Sequence, residues 1–187
     1  MSLTIWLTGL PSAGKSTLAS EVGKLLDKRG LDFEILDGDV MREYLTKDLG
    51  FSRLDRDNNV RRIGYVAQLL ASHDVIAICP VISPYRQARA EVRQLHPPGR
   101  FLEVYIATAL ALCEERDVKG LYAKARSGEV ANMTGIDDPY EVPEAPELTV
   151  DTGQRTIEEC CDQIFALAMA RLDSLATQRP PSQAGTP

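Results

Sequence analysis

The sequence predicts an α/β protein in three layers, a mainly parallel five-stranded sheet with helices on both faces. Three observations carry that expectation. Apolar, partly β-branched runs alternate with stretches of helical spacing along the 187 residues. One of those runs, Val75-Ile76-Ala77-Ile78-Cys79, is apolar throughout, as a strand covered on both faces of a parallel sheet has to be. The first apolar run also passes through a glycine-rich loop straight into a helix.

Composition narrows the class. The length predicts one domain over residues 1–176, with the Pro, Ser, Gln and Gly-rich stretch 177–187 as a disordered tail. Hydrophobic content of 44% and charged content of 26% are ordinary for a soluble globular chain. A net charge of −6 argues against nucleic acid or an anionic membrane as partner. No apolar run approaches the ~18 residues of a membrane span, and the first strand starts too near Met1 to leave room for a signal peptide. Cys79, Cys113, Cys160 and Cys161 form no C-x-x-C pair, which fits free thiols in a reducing, cytoplasmic compartment and argues against zinc.

The elements follow in order. Residues 3–8 read as a buried strand and 16–29 as a helix with Leu18, Val22, Leu25 and Leu26 on one face. A second strand spans 33–36 and ends in Asp37-Gly38-Asp39, and 40–45 is a short helix. After Gly50-Phe51-Ser52 comes a run dense in arginine and amides, Asp55 to Arg62, leading into an apolar helix through Ile63, Val66, Ala67, Leu69 and Leu70. The strand 75–79 is followed by Ile82-Ser83-Pro84-Tyr85-Arg86 and a helix over 87–95, for which Ser83 could serve as cap. Residues 101–106 form the fourth strand, 109–117 a helix, 119–128 a basic stretch, 129–147 a long proline-containing loop and 148–150 the fifth strand. Ile157, Cys160, Cys161, Ile164, Phe165, Leu167 and Ala168 mark a closing amphipathic helix.

The chemistry concentrates where strands end. Gly9-Leu10-Pro11-Ser12-Ala13-Gly14-Lys15-Ser16-Thr17 fits the phosphate-binding pattern G-x-x-x-x-G-K-[ST] in its required context of strand, loop and helix. Its glycines let backbone N–H groups converge on phosphate, and the helix start adds partial positive charge. Lys15 is expected to reach the β- and γ-phosphates of ATP and the Ser16 hydroxyl to ligate Mg²⁺. Asp39, beyond a strand's carboxyl end, is the candidate to organise Mg²⁺ and accept a proton, although Asp-Gly is also a common turn. Ser83 could bind or receive phosphate, and Lys119, Lys124 and Arg126 suit a lid over ATP.

These pieces together resemble the adenylylsulfate (APS) kinase family. The resemblance runs from Thr4 to about Thr152. It is carried by Thr4-Ile5-Trp6-Leu7-Thr8-Gly9-Leu10 with Gly14-Lys15-Ser16-Thr17, Leu36-Asp37-Gly38-Asp39 with Arg42, and Gly50-Phe51-Ser52. It continues through Asp55-Arg56 with Asn59 and Arg61-Arg62, Ile82-Ser83-Pro84-Tyr85-Arg86, Cys113-Glu114 with Arg116-Asp117, and Lys119-Gly120-Leu121-Tyr122 with Lys124-Ala125-Arg126. Thr134-Gly135-Ile136-Asp137 and Tyr140-Glu141 complete it. The resemblance implies a three-layer P-loop NTPase fold with a lid, Mg-ATP as phosphoryl donor and APS as acceptor. It implies ATP binding by residues 9–17, by Lys15 above all, with Lys119, Lys124 and Arg126 in the lid. It implies that Asp39 acts with Mg²⁺ at the APS 3′-hydroxyl, that Arg42, Arg56 and Asn59 bind APS, that Phe51 stacks on its adenine, and that Ile82 and Ser83 line the site. The serine matching Ser83 is often described as a phosphoserine intermediate, whereas direct in-line transfer needs none. A homodimer and a functional link to ATP sulfurylase also follow from the resemblance. The chain departs from the pattern at Val40 (usually Asn), Asn58 (usually Glu) and Met133 (usually Phe, opposite Phe51), and Met133 is expected to bind APS in that Phe's place, its sulfur packing on the ring face. The alternatives are another small P-loop kinase, or a nucleotide-binding protein of the same fold that has lost turnover. A guanine-reading N-K-x-D motif is absent from the sequence.

Overall fold

A computed structural model describes residues 2–177; the expected tail over 178–187 lies outside the described residues. The elements, in chain order, are β1 (Thr4–Gly9), α1 (Lys15–Asp27), β2 (Phe33–Ile35), α2 (Gly38–Tyr44), α3 (Arg53–Ser72), β3 (Ile76–Pro80), α4 (Arg86–Gln94), β4 (Phe101–Ile106), α5 (Leu110–Arg116), α6 (Leu121–Arg126), β5 (Leu148–Val150) and α7 (Ile157–Thr177). The five strands form one sheet in the order β2-β3-β1-β4-β5, and every neighbouring pair is parallel. All carboxyl ends therefore meet along one edge.

β1 is central and buried along its whole length. Its side chains alternate between two cores, as the two-residue period of a strand requires. Leu3, Ile5 and Leu7 enter one core with Leu18, Val22 and Leu26 of α1 and Cys160, Ile164 and Ala168 of α7. Trp6 enters the other with Val60, Ile63 and Ala67 of α3 and Ala88 and Val92 of α4. This is the expected arrangement of helices on both faces.

The differences from the sequence reading are local. The run 55–62 is the first half of the twenty-residue helix α3, not a separate entrance segment. Ser52 caps it by accepting from the Asp55 backbone N–H, and Ser52 Oγ also donates to the Asp55 carboxylate. The basic lid stretch contains its own helix, α6. Ser83 does not cap α4, whose N-cap is Tyr85, without a side-chain bond. Thr177, assigned by sequence to the tail, is the last residue of α7. All four cysteines are buried and free.

Helices α3 and α4 touch through Gly64, where an added Cβ would lie 2.4 Å and 2.6 Å from the two methyls of buried Val92. Alanine is the better helix former by ~1 kcal/mol, but overpacking a stiff, fully buried Val costs about 1–3 kcal/mol. Gly64→Ala is therefore expected to lower the melting temperature, by about 3 °C per kcal/mol of net loss for a chain this size; a rise would show that the two helices slide apart freely.

Candidate active site

The loop after β1 is held open by its neighbours. Gly14 caps α1 at a left-handed φ of 98°, and a Cβ there would press on Thr152 at 3.3 Å. The N–H groups of Lys15, Ser16 and Thr17 start α1 and have no preceding turn to donate to. Hydroxyls pin the loop's outward carbonyls: Thr152 Oγ1 donates to Ala13 O at 2.9 Å and Tyr122 to Pro11 O at 3.1 Å. Thr108 Oγ1 also approaches Ala13 O at 3.2 Å. Arg116 in turn clamps Thr152 through its hydroxyl and carbonyl at 2.7 and 2.8 Å. Inward, the loop is left as a ring of donors suited to phosphate.

Lys15 is 8% exposed. Its Nζ donates to the carbonyls of Gly9 at 2.9 Å and Leu10 at 2.6 Å. Burial pulls its pKa down to about 8, with Cys113, Asp39 and Asp37 pulling the other way. Ser16 Oγ donates to Asp37 Oδ2 at 2.7 Å. Asp37 also caps α2, accepting from the Asp39 N–H at 2.9 Å. The carboxylate beside Ser16 is thus Asp37, where the sequence reading preferred Asp39 of the same Asp-Gly-Asp run. Asp39 is exposed and pairs with Lys119 of the lid. Of the other lid cations, Arg126 is forked onto Glu114, at 2.7 Å through Nη2, and Lys124 is exposed.

A second group of candidate residues gathers around Phe51. Arg42 donates to Gly50 O at 3.0 Å and lies 4.6 Å from the Phe51 ring centroid. Arg56 lies 5.7 Å from the same ring, a cation–π arrangement on both. Burial and the neighbouring Arg56 lower the Arg42 pKa. Arg56 is buried and donates through Nε to Phe51 O at 3.0 Å and through Nη2 to Asn132 O at 2.6 Å. Asn59, also buried, accepts from Thr46 Oγ1 at 2.7 Å. Arg42, Phe51 and Arg56 are therefore brought together, while Asn59, on the same helix as Arg56, pairs with Thr46. Phe51 is 59% exposed and free to take a ring, whereas Met133 is only 6% exposed and packs in the main core. It is drawn there because Asp137 accepts from the Asn132 and Met133 N–H groups and folds the loop back. Asn58 supports Arg61 at 3.2 Å and takes no part in the pocket's hydrogen bonds.

Ser83 is 1% exposed, at a left-handed φ of 41°. Its hydroxyl accepts from Trp6 Nε1 at 3.0 Å and donates to Thr8 Oγ1 at 2.9 Å. Its backbone is held by Arg89, which donates to Ser83 O and to Glu141 O at 2.6 Å each, and to Glu103 Oε1 at 2.7 Å. Arg89 and Glu103 are a buried ion pair. No family pattern or spacing in the sequence marked Arg89, Glu103, Thr108 or Thr152; each works through a partner distant in the chain.

Two outcomes are expected. Protonated Lys15 is the phosphate-binding form, so affinity for a non-hydrolysable ATP analogue should hold below pH 8 and fall by up to about tenfold per unit above it; calorimetric titration at constant ionic strength reads this directly. Glu103→Ala, which strands Arg89 in a buried site, should cost about 3–5 kcal/mol in denaturant unfolding.

The profile of the family described as adenylylsulphate kinase matches residues 1–151. A relative named adenylyl-sulfate kinase from Synechococcus sp. (strain JA-3-3Ab) is 54% identical over 163 residues, 87% of this chain and 92% of the relative. The solved structure of the Mycobacterium tuberculosis APS kinase in complex with AMPPNP and APS superposes with a TM-score of 0.85 at 43% identity, covering 89% of this chain and 96% of that one. The hexameric APS kinase from Thiobacillus denitrificans superposes at 0.67 with 36% identity, over 96% of this chain and 30% of that one.

Proposed function

The chain belongs to the adenylylsulphate kinase family, and from that premise we propose how its residues move the γ-phosphoryl of ATP to the 3′-hydroxyl of APS, giving 3′-phosphoadenylyl sulfate and ADP. The observation that carries the reading is the place of Asp39 between the two groups. Its charge acts both on buried Lys15 of the phosphate loop and on Arg42, which stacks with Arg56 on Phe51.

In this reading residues 9–17 wrap the triphosphate and Lys15 exchanges its two carbonyl partners for β- and γ-phosphate oxygens. Lys119, Lys124 and Arg126 close the lid over ATP, and Lys119 leaves Asp39 for phosphate as they do. Arg42 and Arg56 balance the charge of APS, Asn59 supports the pocket wall, and the adenine stacks on Phe51. Met133 contributes packing beneath the loop and not the second face of an aromatic sandwich. Ile82 and Ser83 form the floor between the two nucleotides. Asp39 accepts the proton of the 3′-hydroxyl as its oxygen attacks the γ-phosphorus in line with the departing β-phosphate oxygen. Ser83 takes no phosphoryl group: its hydroxyl is buried and committed to Trp6 and Thr8, which favours direct transfer.

The oxygen donors fit Mg²⁺. The Ser16 hydroxyl and the Asp37 and Asp39 carboxylates are hard ligands. Mg²⁺ is commonly held by one or two protein ligands with phosphate and water completing its octahedron. Bound there, Mg²⁺ supplies charge neutralisation on the transferring phosphates. APS is itself a sulfate–phosphate anhydride, so an ATP sulfurylase is the functional partner that has to make it. We further assign a cytoplasmic homodimer acting in sulfate assimilation.

Purified protein should release ADP in a coupled assay only when APS is supplied. Turnover with gluconate, shikimate or a nucleoside monophosphate, and none with APS, would refute the assignment. Tight APS binding without product would instead mark a chain that kept the pocket and lost the chemistry.

A further inference from the structure

Asp138 is a group that neither the sequence motifs nor the mechanism above uses. It follows Asp137, and the two carboxylates do different things. Asp137 accepts from the backbone of Asn132 and Met133 and so folds the loop on itself. The turn closes with Gly135 N donating to Asp138 O at 2.7 Å. Asp138 then faces away from its own loop. Its carboxylate accepts from the phenol of Tyr85, at 2.9 and 2.7 Å from the two oxygens, and lies 3.7 Å from Arg56 Nε.

Tyr85 is rigid. It is 1% exposed, Arg53 stacks over its ring at 4.1 Å, and burial with the Asp138 charge raises its pKa to about 12. The phenol therefore fixes the carboxylate, and the carboxylate attracts the guanidinium as an ion pair at 3.7 Å, alongside the two carbonyls to which Arg56 donates. The result is a chain Tyr85–Asp138–Arg56 linking the β3–α4 loop, the 132–138 turn and α3. Arg56 spends Nε and Nη2 on the carbonyls of Phe51 and Asn132. Nη1 is left as its nitrogen without a hydrogen bond to protein among the described residues, available to an anion.

We propose that Asp138 is a positioning residue for the acceptor nucleotide: held by Tyr85, it sets the Arg56 guanidinium so that Arg56 meets APS in one orientation. The proposal rests on the assignment of Arg56 to the APS pocket. It separates two effects of opposite sign. If Asp138 acted only as a charge, removing it would leave Arg56 less neutralised and strengthen anion binding. If it positions Arg56, removing it weakens APS binding despite the gain in positive potential.

The test is the steady-state kinetics of the full chain with Asp138→Asn, Tyr85→Phe, Arg56→Ala and the double variant Arg56→Ala/Asp138→Asn, each checked by thermal melt. We expect Asp138→Asn to raise the APS KM about tenfold and Tyr85→Phe about threefold, with the ATP KM within about twofold of the parent. On the Arg56→Ala background Asp138→Asn should add nothing, because the group it positions is gone. An unchanged or lowered APS KM in Asp138→Asn overturns the proposal. So does an equal rise on both backgrounds, which would leave the Arg56 assignment intact. A normal APS KM in Arg56→Ala would instead remove that assignment, and the proposal with it. Should Asp138→Asn fail to fold, Tyr85→Phe decides, since it keeps the buried ring and deletes only the hydroxyl: an unchanged APS KM there is the refuting result.

Discussion

The constraint on which the molecule depends is the exit of the chain from β1. A strand buried on both faces has to become a helix within a few residues while its amides turn inward and its carbonyls turn out. Such a loop cannot satisfy its outer carbonyls by itself. It borrows hydroxyls from Thr108, Thr152 and Tyr122, which lie beyond β4, beyond β5 and in α6. Those donors arrive only because all five strands run parallel and end at the same edge. The phosphate loop is therefore a property of the whole sheet.

The second core follows a different logic. On β4 the position that should bury an apolar side chain against α4 carries Glu103, answered by Arg89. A buried pair of this kind is seldom a source of net stability, because desolvation offsets the attraction. What it supplies is connection. One guanidinium holds the carbonyls of Ser83 and Glu141 together with the Glu103 carboxylate. Arg93 extends the network to Glu147, at 2.6 Å, just before β5. The strained Ser83 turn and the loop behind it are thus fixed from the protected side of the pocket.

Much of this was legible in the sequence. The apolar runs gave all five strands to within a residue or two, and the glycine loop located the phosphate site. Of the residues in the ordered motifs, Arg42, Phe51 and Arg56 do come together. Three things were not legible, each for a physical reason. Asp37 and Asp39 both sit at a strand's end, and only the start of α2 decides that Asp37 turns to Ser16. Ser83 looked accessible beyond a strand, yet Trp6 and Thr8, some 75 residues earlier, consume its hydroxyl. Met133 stood in for an aromatic in the linear pattern, but the Asp137 turn draws it into the core.

Helix α2 carries Asp39 and Arg42 and contains no buried residue. Its hold on the body is a cap, a few polar contacts, the lid lysine and one half-buried apolar side chain, Met41, against the second core. An element tied so lightly opens in sub-global excursions far more often than the sheet unfolds. Its amides should exchange with solvent early, while those of β1 wait for the entire domain to come apart. The acid–base group of the proposed chemistry thus rides on the segment that breathes most easily, and the phosphate loop on the one that breathes least.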